Sequence, residues 1–116
     1  MKKRLRKKRR IGEFAEKGCR LVVLRTTKND SLSFNDAFIL EAVEKNGCFC
    51  GGSLAEDRLD VVLELGRSSK DPAARLTRIA DWLRARSDVA EWRAGPILDL
   101  WYDPAEAFDV DPFKAK

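Results

Sequence analysis

Hydrophobic positions recur along this chain with two different periods, and together the periods predict an alternation of strands and helices. Apolar residues at helical spacing over 11–17, followed by Gly18 where a helix would end, predict a short first helix. The β-branched and aliphatic run over 19–27 predicts a strand. An apolar stripe over 34–46 predicts a second helix, which ends before Gly47.

The middle of the chain carries the pattern of a β-hairpin. Residues 48–54 and 58–65 predict two strands, joined by a turn over 55–57. In the second strand the large aliphatic residues occupy every other position, from Leu59 to Leu65, so they should share one face of a sheet.

The strongest helix signal follows the hairpin. Asp71 occupies the N-cap position and Pro72 the first helical position, and an apolar stripe then continues to about Arg86. After a turn at Gly95-Pro96, the aliphatic and aromatic run over 97–102 predicts a last strand.

The predicted order after the first helix is β-α-β-β-α-β, which indicates an α+β fold. Right-handed crossovers between two such units build a four-stranded antiparallel sheet with both helices on one face, the ferredoxin-like two-layer sandwich. The expected organisation is a basic arm over residues 1–10, one domain over 11–103 and an acidic tail over 104–116. The central strands, 19–27 and 58–65, contain no aromatic residue, which argues against RRM-type stacking of RNA bases.

The arm changes this picture most, because eight of its ten residues are cations. Like charges at this density repel one another, and their natural partner is an array of phosphates, whose neutralisation releases counterions. A solvated tail or a targeting signal is the alternative interpretation. The predicted nucleic-acid-binding residues are Lys2, Lys3, Arg4, Arg6, Lys7, Lys8, Arg9 and Arg10.

The rest of the chain has the opposite charge. The whole chain carries a net charge of +4 and the arm contributes eight positive charges, so residues 11–116 carry −4. A polyanion repels an acidic body. We therefore expect the arm to anchor the protein on nucleic acid and the body to have a more specific role.

A second cationic surface is predicted on the last helix. At 100° per residue, Arg75, Arg78 and Arg86 cluster with Trp82 on the side away from the apolar stripe. Such a face can hold phosphates and stack on an RNA base. The alternative is that Trp82 covers the edge of the core and the arginines form an ordinary solvated face.

The chain offers little for metal or catalytic chemistry. It has no histidine and three cysteines, Cys19, Cys48 and Cys50, whereas a zinc site needs four ligands. Buried free cysteines usually act as small hydrophobic residues. Without histidine the usual acid–base group is missing. We therefore expect no enzymatic activity, no metal, no cofactor and no small-molecule substrate.

Cellular location follows from the cysteines and from hydropathy. An odd number of cysteines without a signal peptide indicates a reducing cytoplasm. The longest strongly apolar run of the body, 21–24, has four residues, so we expect no membrane partner.

Three segments of the chain together resemble a known family. The junction from Arg4-Leu5-Arg6-Lys7-Lys8 into Ile11-Gly12-Glu13-Phe14, the Trp82-Leu83 pair and the run Leu98-Asp99-Leu100-Trp101-Tyr102-Asp103 are similar to the YggL family of 50S ribosome-binding proteins. The similarity covers most of residues 1–103, and the acidic residues 104–112 continue past the family's usual end. The resemblance implies a small bacterial cytosolic protein that binds the large ribosomal subunit, and it supplies no catalytic residues.

The sequence therefore predicts a non-enzymatic protein that is a monomer off the ribosome and binds rRNA through its arm. Two alternatives remain open: a general RNA- or DNA-binding protein, and a protein-interaction adaptor that uses the bare face of the sheet. The acidic side chains of the tail are expected either to compete weakly with RNA for the arm or only to add solubility. They are Glu106, Asp109 and Asp111, with Asp103 just before them.

Overall fold

A computed structural model describes residues 16–100, 103, 105–108 and 111–113. This part of the chain forms five strands and three α-helices. They are β1 (Glu16–Arg25), α1 (Ser31–Ala37), β2 (Phe49–Ala55), β3 (Arg58–Arg67), α2 (Pro72–Arg84), β4 (Val89–Ala94), β5 (Leu98–Asp99) and α3 (Ala105–Phe108). The helical path of α1 continues through a π-helical stretch, Phe38–Val43, and a 3-10 turn, Glu44–Asn46. We refer to residues 31–46 as the α1 segment.

The five strands form one antiparallel sheet, which confirms the mixed α+β class. Its order is β2-β3-β1-β4, and β5 pairs with the first part of β1. The central strands are β1 and β3, as the sequence predicts. Aliphatic residues alternate into the core along β3, and the α1 segment and α2 pack on that same face. The buried core includes Leu21, Val23, Phe34, Phe38, Leu59, Leu63, Leu65, Ile79 and Leu83.

The last strand differs from the prediction. The edge of the sheet beside β1 is formed by β4, which the sequence analysis missed. Within the predicted strand over 97–102, only the two residues of β5 pair with β1, and residues 101–102 lie outside the described part of the chain. Hydrogen bonding to β1 is interrupted between β4 and β5 at Pro96, which has no N–H to donate. Because β4 is a half-exposed edge strand, it contains polar residues such as Glu91 and Arg93. Its hydrophobic pattern is therefore too weak to predict a strand.

The prediction of the first helix is wrong for its C-terminal end. The helix was expected over 11–17, but β1 begins at Glu16 and pairs with β3 from its first residue. Residues 11–15 lie outside the described part of the chain. Gly18 does not terminate a helix; it lies inside β1, where a Cβ atom would stand 2.5 Å from the carbonyl oxygen of Leu63. Pairing with β3 therefore makes this segment a strand, although its apolar residues have helical spacing.

The cap of α2 is confirmed. The carboxylate of Asp71 accepts a hydrogen bond from the backbone N–H of Ala74 at 3.2 Å, and Pro72 is the first helical residue. The helix ends at Arg84, two residues before the predicted Arg86.

The second helix and the hairpin lie close to their predicted positions. The α1 segment begins at Ser31 rather than at residue 34. It ends at Asn46, as predicted, and Gly47 follows with a φ of 74°. The strands β2 and β3 are joined by a tight turn at residues 56–57. None of the helices in the described residues is long and apolar enough to cross a membrane.

Candidate nucleic-acid interface

The basic arm lies outside the described residues, which begin at Glu16. The contacts of its eight cations therefore stay a prediction. The second predicted surface, on and beyond α2, is described in full.

Trp82 lies at the edge of the hydrophobic core. Its ring packs against Phe34 and Phe38, with ring centroids 6.0 and 5.8 Å away. Its indole N–H donates a hydrogen bond to the carboxylate of Glu41 at 3.1 Å. Aromatic pairs at these distances stabilise a core beyond their buried area. The position of Trp82 agrees with the alternative interpretation, in which this side chain covers the core edge.

Arg86 covers the outer face of this aromatic cluster. Its guanidinium carbon lies 4.7 Å from the ring centroid of Trp82 and 5.4 Å from that of Phe34. The same group makes two hydrogen bonds to the carboxylate of Asp88, at 2.8 and 2.9 Å. These hydrogen bonds hold the pKa of Asp88 below its ordinary value and raise the pKa of Arg86. A base could stack on this face of Trp82 only by displacing Arg86.

Arg75 and Arg78 lie at the other end of α2, beside the end of the α1 segment. Arg75 donates hydrogen bonds to the carbonyl oxygens of Gly47 and Leu65, at 3.0 and 3.2 Å. Arg78 donates to the side-chain oxygen of Asn46 at 3.0 Å. Arg78 therefore joins α2 to the end of the α1 segment, and Arg75 joins α2 to β3 and to the residue after that segment.

The predicted cluster is therefore divided into two pairs. Arg75 and Arg78 are neighbours, whereas Arg86 comes eleven residues after Arg75, which corresponds to about 16 Å along a helix. Each of the four side chains, Trp82 included, has a partner within the protein. A role in RNA binding stays a prediction, and it would require these partners to be exchanged for RNA.

The open face of the sheet, opposite the helices, carries charges that the sequence analysis did not assign to a site. Arg20 makes two hydrogen bonds to the carboxylate of Asp60, at 2.9 and 2.6 Å. These residues are forty positions apart, and only the pairing of β1 with β3 brings them together. The alternation along each strand places them on one face, but the sequence does not give the register that sets these two side chains beside each other.

Part of the C-terminal tail lies on this open face. The carboxylate of Asp111 accepts a hydrogen bond from Arg58 at 2.8 Å, and the guanidinium of Arg93 lies 5.1 Å from the ring centroid of Phe113. Pro112, between them, is buried. A hydrogen bond from the backbone N–H of Phe113, together with Arg58, lowers the pKa of Asp111. At least residues 111–113 of the tail are therefore held by the body.

The cysteines are thiols shielded from solvent. Cys19 and Cys48 are buried and Cys50 is half-buried. Burial raises the pKa of all three, to about 12 for Cys19, so the reactive thiolate form is disfavoured. Across the described ranges, no group of three or more His, Cys, Asp or Glu side chains is placed to hold a metal ion.

These features define a small α+β protein with arginine-rich surfaces and a strongly cationic N-terminal segment. The family model described as YggL 50S ribosome-binding protein matches residues 3–102, and the chain belongs to this family. The match confirms the resemblance noted in the sequence and takes in the arm from Lys3 onward. No curated protein and no solved structure matches the chain.

Proposed function

We propose that this protein binds the large (50S) ribosomal subunit without catalysing a reaction, and that its arm contacts rRNA phosphates. The observation that carries the proposal is the family match over residues 3–102, which includes most of the cationic arm. A bacterial cytoplasmic location and a monomeric state off the ribosome belong to the same proposal.

The charge distribution supports the division of labour between arm and body. The arm carries eight cations, whereas the rest of the chain has a net negative charge. The arginines of the described residues are largely engaged in hydrogen bonds within the protein. The arm is thus the segment whose charge is best suited to phosphates. The strand order β2-β3-β1-β4 with both helical segments on one face also supports the finer proposal of a ferredoxin-like body.

Sedimentation at increasing salt tests the proposal. Purified protein is mixed with purified 50S or 30S subunits between about 50 and 200 mM salt, where about six contacts to single-stranded phosphates imply a log–log slope of roughly −4. We expect binding to 50S that weakens steeply with salt and is lost when residues 1–10 are deleted. Binding that is independent of salt, or restricted to 30S, contradicts the proposal.

One control variant and two possible outcomes separate the alternatives. Arg84→Gln changes an exposed arginine whose partners, Asp81 and the ring of Trp92, belong to the body, and it should leave binding unchanged. Equal affinity for 50S and for a generic RNA at matched salt would favour a general RNA-binding protein. Full binding after deletion of the arm would favour an adaptor that recognises a ribosomal protein.

The second cationic surface can be tested in the same assay. If Arg78 contacts a phosphate, Arg78→Gln should weaken binding a few-fold and reduce the salt slope by about 0.7 to 0.9. Unchanged affinity and slope would show that Arg78 only joins α2 to the α1 segment through Asn46.

A further inference from the structure

The two edges of the sheet are protected very differently. At the edge formed by β4, the exposed charged residues Glu91 and Arg93 form an ion pair, and Arg84 lies over Trp92. The opposite edge is β2, whose sequence Phe-Cys-Gly-Gly-Ser-Leu-Ala contains no charged residue and no proline. Charges and prolines are the usual devices that keep an edge strand from pairing with another chain. The β2 edge lacks both.

A groove runs along this unprotected edge, between β2 and the α1 segment. It has a volume of about 430 Å³. Leu32 and Ile39 line one wall, Cys50 and Leu54 the other, and Leu59 and Val61 of β3 form the floor. Gly52 lies so close to β3 that a Cβ atom there would stand 2.2 Å from the carbonyl oxygen of Asp60, so no side chain covers Val61 at this position. Ser31, Asn35 and Ser53 also line the groove, which therefore combines an apolar floor with polar groups.

One of the most exposed hydrophobic side chains of the protein lies at this groove. Among the described residues, the large hydrophobic side chains that are most exposed are Leu32, Leu40 and Phe49, at 80, 61 and 68%. Leu32 lines the groove, whereas Leu40 is not part of its lining and Phe49 lies on the opposite face of the sheet from Cys50. An exposed apolar side chain beside a groove adds area that a partner can bury.

The charge around the groove selects the kind of partner. Residues 30–46 contain four exposed acidic side chains and one lysine, and β2 contributes no charge. Burial raises the pKa of the Cys50 thiol, and the carboxylates of Glu64 and Glu44 add to the rise, so both lie close to that end of the groove. The net negative charge near the groove repels phosphates and attracts cations. The partner that fits is a basic polypeptide rather than a nucleic acid.

We propose that β2 and its groove bind an extended, basic segment of another protein as an added strand. The partner's backbone pairs with the free edge of β2, and one of its apolar side chains enters the groove over Gly52. Lysine or arginine residues of the partner lie beside the acidic α1 segment. Backbone pairing supplies affinity and the pocket supplies specificity, as in other cases of strand addition.

Nuclear magnetic resonance of the full-length protein tests this directly, without the ribosome. The probe is a short capped peptide of alternating lysine and valine, and the control is the same peptide with glutamate in place of lysine. We expect amide shift changes in β2 and the α1 segment with the lysine peptide, and affinity at these sites at least about tenfold weaker with the glutamate peptide. Shifts within residues 1–10 are ignored, because the basic arm attracts the glutamate peptide.

A matched pair of variants tests the role of charge at the groove. Leu32 is largely exposed, so Leu32→Lys and Leu32→Glu should both fold. Lys at this position should weaken binding of the lysine peptide about threefold and Glu should tighten it by a similar factor, as expected for exposed charges. The control is Ser87→Ala, at an exposed position after α2, which should leave the affinity for either peptide unchanged.

Several outcomes overturn the proposal. They are no shift changes at β2 up to millimolar peptide, shifts confined to the β4 edge, and equal affinity for the two peptides at the groove. Shifts in β2 that depend on the protein's own concentration without peptide would show that a second copy fills the groove. Each result is independent of 50S binding, so failure here leaves the proposed function untouched.

Discussion

Arg86 and Asp88 illustrate how one side chain connects surface charge to the core. The guanidinium of Arg86 forms a paired hydrogen bond with the carboxylate while its flat face lies over Phe34 and Trp82. Lysine has no planar group and could not make both contacts at once. Asp88 also contacts the end of β1, since its backbone carbonyl oxygen accepts a hydrogen bond at 3.0 Å from the N–H of Thr26, the residue after that strand.

We expect Asp88→Asn to lower the free energy of unfolding at pH 7 by about 1 kcal/mol, because the pair is only partly exposed and its geometry is bidentate. The folded pKa of Asp88 lies below the unfolded value, so its contribution is present above about pH 4 and is lost as the pH falls through the folded pKa. Urea unfolding at several pH values measures this difference.

The control for this variant is Asp81→Asn. Asp81 pairs with Arg84 at 2.8 Å, but both side chains are more than half exposed, so the change should be close to zero. A difference between Asp88→Asn and the wild-type protein that stays constant down to about pH 2 would contradict the linkage.

Among the elements, β1 is the most constrained because it pairs with three other strands. It pairs with β3 along its length and with β4 and β5 on the other edge. At Gly18 the neighbouring segments of the chain come very close. A Cβ atom there would stand 2.5 Å from the carbonyl oxygen of Leu63 and 2.7 Å from a methyl carbon of Leu100. Glycine is required here by close approach rather than by an unusual backbone angle.

Gly18→Ala should therefore destabilise the protein by about 1–3 kcal/mol through overpacking. Gly51→Ala is the matched control, since no atom lies within 4 Å of its added Cβ and β2 is an edge strand. It should be neutral or slightly stabilising. Thermal or urea denaturation of both variants checks the prediction, and equal effects would show that the approach at Gly18 relaxes easily.

At the scale of the whole molecule, the C-terminal tail connects to the open face of the sheet. Arg58 and Arg93 hold Asp111 and Phe113, and the backbone N–H of Asp99 donates to the carboxylate of Asp103 at 2.7 Å. The face that was expected to be bare is thus partly covered. Asp103, just before the tail, and Asp111 both have partners in the body.

Truncation after Asp103 should lower the melting temperature by a few degrees, because it removes the contacts of Arg58 and Arg93. Asp111→Asn should have a smaller effect in the same direction, and that effect should disappear in acid, since the pKa of Asp111 is lowered in the folded protein. Glu106→Gln, at an exposed position of α3, is the control and should leave the melting temperature unchanged.

The truncated protein also tests whether the tail competes with RNA for the arm. Tighter binding to a generic RNA at low salt, converging with the full-length protein at high salt, supports the competition. Unchanged or weaker binding rejects it and leaves the tail with a structural role only.

Local sequence determined the features that depend on nearest neighbours. The alternation along β3, the Asp71-Pro72 start of α2 and the end of the α1 segment before Gly47 were all predicted, because caps, turns and side-chain periods act within a few residues. The family, too, was recognisable from the order and spacing of motifs at the two ends of the chain. The charge of the arm requires no fold at all.

Only the tertiary structure decided the features that depend on pairing across the chain. Whether residues 16–18 form a helix or a strand was settled by hydrogen bonds to β3, and the half-exposed β4 became an edge strand because β1 offered it a partner. The sheet also decided that β2 is an unprotected edge with a groove beside it. It brings Arg58 into contact with Asp111, which is far away in sequence. No local period encodes such neighbours, since they follow from the order of strands in the sheet.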